Sequence, residues 1–161
     1  MKKILNARTF ILVFLTHKVA LPLLKLVRRP NVFKYNADQL KQFTTGSLGN
    51  DLYLFLENRN LPLLKHYVRH DLKHVLLGYD TTDKGEVCLQ NFMLGNGRIS
   101  FPVLATVIYG FIAMPEYWSS MIAAFQKGRK SASFHHRVWN DVITDQTENL
   151  RIKIFYKHLK L

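Results

Sequence analysis

An all-α, single-domain bundle is the fold class this sequence predicts, and three observations predict it. Apolar residues recur at helical spacing through almost every segment, as in Leu48, Leu52, Leu54, Phe55 and Leu56. Strict apolar/polar alternation, the mark of half-buried strands, is scarce. Helix-stopping residues fall at helix-length intervals: Pro30, Asn58 with Asn60, Gly78, "GNG" at 95–97, and Pro115. At 161 residues the chain reads as one domain, 1–161, long enough to bury a proper core and without an internal repeat.

The first helical region spans 3–27, bent or broken at Pro22 and closed by Pro30. Its basic opening and apolar run resemble a secretory signal. However, His17 and Lys18 interrupt the run and no small-x-small cleavage site follows. The uninterrupted stretch, Phe10 to Leu15, is far shorter than the roughly 20 residues of a spanning helix. Lys2, Lys3, Arg8, Lys18, Lys25, Arg28 and Arg29 flank it, so residues 1–30 read as an amphipathic region that lies at an interface or packs on the core.

After the connector "RRPNVFKYN", Asp38 is expected to cap a short turn through Phe43. "TTGSLGNDLYLFLENRN" holds the next helix. Pro62 is expected in the first turn of a helix that runs to Leu77 and stops at Gly78. Asp80, Thr81 and Thr82 are turn and cap residues for a helix carrying Glu86, Val87, Leu89, Phe92, Met93 and Leu94. "ISFPVLATVIYGFIAM" is apolar all round, which predicts a buried central helix or the wall of an apolar lipid-binding pocket. It is too short for a membrane span. Beyond Pro115 a helix is expected to about Phe125, then a basic loop "QKGRKS", then a C-terminal helical region over 132–161.

The composition narrows the partners. Lys and Arg number 23 against 11 Asp and Glu, a net charge of +12, so an anionic partner is expected. No zinc-finger spacing, ribonucleoprotein motif or glycine-rich phosphate loop accompanies that charge, and an anionic membrane surface is preferred to nucleic acid. The lone Cys88 excludes an internal disulfide framework and a thiolate-rich zinc site; it reads as a small buried hydrophobe. His135 and His136 are adjacent and diverge on a helix, against a second metal site. "KGRK" at 127–130 reads as a solvated basic loop, with a phosphate or headgroup contact as the alternative, and Tyr117 with Trp118 as interfacial anchors or ordinary packing.

One constellation carries chemistry. In "YVRHDLKHVLLGYDTTDKGE", His70 and His74 lie about 40° apart, one turn along the same helix face. Asp71 projects about 60° from His74, close enough to ligate an ion or to orient a ring. Gly78 ends the helix, and an antiparallel helix after a reversal brings Glu86 back opposite the two imidazoles. Two His and one or two carboxylates suit Zn²⁺ and accept Fe²⁺ or Mn²⁺, with Mg²⁺ a further option. The bland reading is an exposed polar stripe, which His66 would extend by a turn.

"HDLKH", eleven residues, then "E" resembles the H-D-x-x-H…E signature of the ubiquinone (coenzyme Q) biosynthesis protein 4 family. "SLGNDLYLFLENRN" is similar to that family's Thr-Leu-Gly-x-x-Tyr-x-x-Phe segment. "HVLLGYDTTDKGEVCLQNF" is similar to its H-x-L-x-G…G-E-V…F stretch, and "AFQKGRKS" to its downstream Gly-Arg segment. The likeness covers roughly 45–131, which forms the metal-motif core of the chain. It departs at "LQNFML", where the family shows Lys-Trp-Phe-Glu, and at "FHHRVW", a loose form of Tyr-x-x-Arg-Trp.

The resemblance implies an all-helical protein peripheral to the cytoplasmic face of a membrane, or to the matrix side of the mitochondrial inner membrane in a eukaryote. It implies a zinc-type ion at His70, Asp71, His74 and Glu86. It also implies metal-dependent decarboxylation of a polyprenylated hydroxybenzoate ring, binding of a prenylated lipid or quinone precursor, or a non-catalytic scaffold for other quinone-biosynthesis proteins, with a homo-oligomer as a further option. A third class, a phosphohydrolase of H…HD…D type, shares "RHD" but has only His17, and Asp141 or Asp145, as loose candidates for its remaining ligands.

Overall fold

In the computed structural model, residues 33–134 and 139–156 are described. Among them the chain forms eight α-helices and one 3₁₀ turn, with no strand longer than an isolated bridge between Ser47 and Gln146. The helices are α1 (Ala37–Lys41), α2 (Leu48–Glu57), α3 (Val68–Leu77), α4 (Asp83–Gly95), α5 (Phe101–Ala113), α6 (Trp118–Lys130), α7 (Trp139–Val142) and α8 (Thr147–Phe155), the 3₁₀ turn being Pro115–Tyr117. The all-α expectation stands. The readings of residues 1–30, and of His135 and His136, lie outside the described residues.

Local chemistry explains most boundaries. Asn36, rather than Asp38, caps α1: its side chain accepts from the Gln39 amide while Gln39 answers to the Asn36 amide. Asp38 sits in the first turn, where its charge complements the helix dipole. Ser47 caps α2, whose remaining free amides at Leu48 and Gly49 donate to the carbonyls of Asp145 and Ile143. The segment before α8 thus closes the start of α2.

α3 begins at Val68, six residues beyond Pro62, because 61–64 hold no regular structure and 65–67 form a turn. Its C-cap, Gly78, holds φ +74, a left-handed turn that a side chain disfavours. Arg151 of α8 then donates to the carbonyls of Val75 and Leu76, at 2.9 and 3.2 Å, and ties α8 to the end of α3.

α4 and α6 make the most intimate pair. Gly95 and Gly128 let the backbones meet: a Cβ on Gly128 would strike the Phe92 carbonyl, and one on Gly95 the Phe125 carbonyl. Cys88 and Ala124 face each other further back, so the two helices run in the same direction. Asn96 reinforces the far end, donating to the carbonyls of Gly128 and Ala132. The core around this pair includes Phe92, Phe134, Leu72, Leu76, Leu89, Met93 and Met121, all nearly inaccessible.

Two expectations are corrected here. "QKGRK" is not a loop but the last turns of α6, which continues to Lys130; Lys127, Arg129 and Lys130 sit where cations suit the carbonyl end of a helix. The apolar segment 101–113 is not a buried central helix. Only one stripe of α5, Val103, Val107 and Gly110, is buried, against α4 and the Met121 side chain. Phe101, Leu104, Ile108 and Ile112 stand exposed, Ile112 at 78%. An all-apolar sequence predicts burial on every side only if the fold supplies neighbours on every side, and no described element covers this one.

Candidate metal centre

α3 and α4 meet at the Gly78–Thr82 reversal, and Thr82 caps α4 by accepting from the Gly85 amide. That geometry brings Glu86, in the first turn of α4, against the inner face of α3. Its two carboxylate oxygens divide between the two imidazoles: Oε1 lies 3.0 Å from His70 Nε2, and Oε2 3.1 Å from His74 Nε2. The antiparallel return expected from the sequence is what the structure contains.

The tautomers sharpen the picture. His74 Nδ1 lies 3.1 Å from the Tyr79 carbonyl, which can only accept, so Nδ1 carries a proton. His74 Nε2 therefore faces the carboxylate with a lone pair unless a second proton, or a cation, stands between them. His70 meets the other oxygen in the same way, and its Nδ1 is buried without a hydrogen-bond partner. Asp71 stands on that Nδ1 side, its Oδ1 3.8 Å away. The carboxylate of Asp71 thus lies beside His70, on the opposite ring nitrogen from Glu86.

Donor chemistry fits a divalent ion. Nitrogen and oxygen atoms of His70, His74 and Glu86 lie within 4.8 Å of one another, and among the described residues this is the one such group. A tetrahedral ion with bonds of about 2.0–2.1 Å spaces its ligands about 3.4 Å apart. The Nε2–carboxylate separations are only a few tenths shorter. Two imidazoles and a carboxylate are a donor set that Zn²⁺, Fe²⁺ and Mn²⁺ share.

Electrostatics agree with a charge-sharing cluster. Burial by itself pushes the His70 imidazole toward neutrality, but the Glu86 charge, with contacts to Asp71 and Glu86, outweighs it and lifts His70 to about 9. Burial likewise raises Glu86, yet His70 and His74 hold its carboxyl well below the usual range. The Tyr67 hydroxyl is pushed up by burial and by the nearby Glu86 and Asp71 charges. Its ring packs 4.5 Å from His70, and Phe55 stacks 6.0 Å from His74, which shields the cluster from water.

A pH dependence follows. In the ion-free protein, stability contributed by His70 is complete below its unfolded value of about 6.5 and is lost as pH rises through about 9. The Glu86 contribution is present above about pH 4.3 and is lost as pH falls through its depressed value. Melting in chelator should therefore show Tm declining between about pH 6.5 and 9. Divalent-ion affinity should rise over the same window, since a ligating imidazole must shed its proton.

Gln90 was not visible as a site residue. It lies one turn beyond Glu86 on α4, is buried, and donates from Nε2 to Glu86 Oε1 at 3.0 Å. The signal was present as a Glu-x-x-x-Gln spacing, which places both on one helix face. Gln90→Leu keeps the bulk but frees the carboxylate. Calorimetric titration with Zn²⁺ should show affinity about tenfold weaker than wild type, with the fold intact.

Other candidates lie elsewhere. His66 precedes α3 and is exposed, so it extends no stripe. Cys88 is buried on the other side of α4, and burial raises its thiol. It borders a cavity of about 420 Å³ between the α3–α4 loop, α4 and α6, alongside Tyr79, Lys84, Ser120 and Lys127. That cavity is not lined by residues 101–111. Asp141 and Asp145 do not join the His/Glu cluster, and His17 lies outside the described residues.

No protein-family model matches the chain, and none of the curated proteins compared matches it. Among solved structures, it is similar to the crystal structure of a Nostoc punctiforme protein provisionally assigned to ubiquinone biosynthesis. The likeness has a TM-score of 0.64 and 18% identity, and covers 94% of this chain and 88% of that one. At that identity what the two chains share is the fold.

Proposed function

We propose that this chain is a metal-dependent protein of ubiquinone-biosynthesis type, acting on a polyprenylated hydroxybenzoate-like ring by decarboxylation. One observation carries the reading: a single half-buried carboxylate spans two Nε2 atoms, and one of those imidazoles already has its other proton committed to a carbonyl. The sequence signature at 70–86 supports the reading, and the fold shared with the Nostoc protein supports its coarser part, the association with ubiquinone biosynthesis.

In this reading His70, His74 and Glu86 hold a zinc-type ion, with Asp71, beside His70 Nδ1, as the group orienting that ring. A bound ion of this kind supplies Lewis acidity to phenolate and carboxylate oxygens, lowering the cost of charge that builds as CO₂ leaves. The protein's share is arrangement. The Tyr79 carbonyl sets the His74 tautomer, Gln90 fixes the Glu86 carboxylate, and Phe55 with Tyr67 excludes water.

Metal analysis of purified protein tests the ligand set. Wild type is expected to carry about one equivalent and the His70→Ala/His74→Ala variant essentially none; equal content in both ends the proposal. Asp71→Asn is expected to weaken affinity about 10–100-fold if Asp71 orients His70. Incubation with a prenylated hydroxybenzoate then tests turnover, read as loss of the carboxyl group.

A second reading has its own support. Glu86 joins α3 to α4 directly, so the same ion could pin two helices in a non-catalytic scaffold for quinone-biosynthesis proteins. Full metal loading with no turnover, together with a Tm that falls on chelation, favours this scaffold.

A further inference from the structure

Among the described residues, the α5 face that the sequence assigns to the interior stands exposed. Phe101, Leu104, Ile108 and Ile112 recur at three- and four-residue spacing, so they share one side of the helix, and they are 68, 38, 58 and 78% exposed. Ile99 extends the row at one end. At the other end, half-exposed Trp118 packs its ring 6.3 Å from Phe111 and donates to the Phe111 carbonyl. Ile122, one turn along α6, is exposed as well.

Charge around this face is one-sided. From 87 to 134 the sequence holds a single acidic residue, Glu116, against Arg98, Lys127, Arg129 and Lys130. Gly95 abuts the Arg129 backbone, and α5 begins six residues after Gly95. The exposed side chains of Arg129 and Lys130 therefore lie at the end of the layer where Ile99 and Phe101 emerge. No charged residue falls between Ile99 and Pro115.

We infer that the outer face of α5, with Trp118 and Ile122, docks into the headgroup–acyl boundary of an anionic lipid bilayer. Thirteen helical residues span about 20 Å, against about 30 Å of hydrocarbon, so α5 lies in the plane and does not cross. No described helix is long and apolar enough to cross a membrane. A second copy of the chain is the poorer occupant: it would set one basic rim against another, whereas anionic lipid neutralises both the rim and part of the +12 charge. The inference does not depend on the metal-site reading, because none of these residues touches the His/Glu cluster.

Vesicle co-sedimentation of the full chain tests it. Wild type should bind phosphatidylcholine vesicles containing phosphatidylglycerol, bind pure phosphatidylcholine at least tenfold more weakly, and lose binding as salt rises. Ile108→Glu/Ile112→Glu should lower binding more than tenfold while circular dichroism and metal content stay unchanged. Arg129→Glu/Lys130→Glu should weaken binding and flatten the salt dependence. A measurement on wild type needs no variant: acyl-brominated lipid should quench Trp118, whereas Trp139 is buried and should report little. Absence of binding to anionic vesicles, binding untouched by the double Glu variant, or binding without Trp118 quenching would each overturn the inference. So would a dimer that this variant dissociates in protein that ignores vesicles.

Discussion

Glu86→Gln is expected to strip the protein of divalent metal, lowering Zn²⁺ affinity by about a thousandfold or more, with the fold retained. The charge at this position is the anionic half of the cluster, and it faces both Nε2 atoms at 3.0 and 3.1 Å. An amide offers one weak oxygen ligand and presents an NH₂ group toward the second imidazole. In chelator the same variant should cost about 1–3 kcal/mol, because neutral hydrogen bonds to the imidazoles replace the charge-assisted pairing of Glu86 with His70. The cost stays below that of breaking a permanent buried ion pair because His70 can shed its proton. With Glu86 neutral, the charge that lifts His70 is gone and burial dominates, so its titration, followed by NMR, should move from about 9 to below the ordinary value. An unchanged His70 titration in Glu86→Gln would show that the pairing described above is wrong.

The second large effect is Gly128→Ala, which should destabilise by about 2–3 kcal/mol and lower Tm by roughly 5–10 °C. The sign is the informative part. On an open helix surface, Gly→Ala stabilises by about 1 kcal/mol through helix propensity. Here the new Cβ would press on the Phe92 backbone, which cannot swing aside as a side chain would. α6 would have to back away from α4, opening the layer that holds Phe92, Met93 and Met121. A stabilised Gly128→Ala would mean that α4 and α6 do not meet as closely as described.

Several of these features were legible without a structure, and the reason is locality. Helix starts and stops depend on a few adjacent residues, so Thr82 before α4, Gly78 after α3 and "GNG" after α4 could be read directly. Pro62 and Asp38 misled because a competing signal lay close by. Asn36 with Gln39 forms a reciprocal cap that outranks Asp38, and the chain from 61 to 67 stays out of the helix despite its proline. The His70/His74 face follows from helical geometry, and a short loop returning antiparallel is enough to bring Glu86 opposite.

What the sequence determined by itself was the all-helical class, most of the helix ends, and three side chains able to meet across one reversal. Tertiary structure alone decided the rest. It chose which oxygen meets which nitrogen, recruited the Tyr79 carbonyl and Gln90, set Asp71 on the far side of the His70 ring, and left one face of α5 in the open. The physical reason is that capping and periodicity are properties of a segment. Burial is a property of neighbours, and an apolar helix carries no record of how many of its sides the fold will cover.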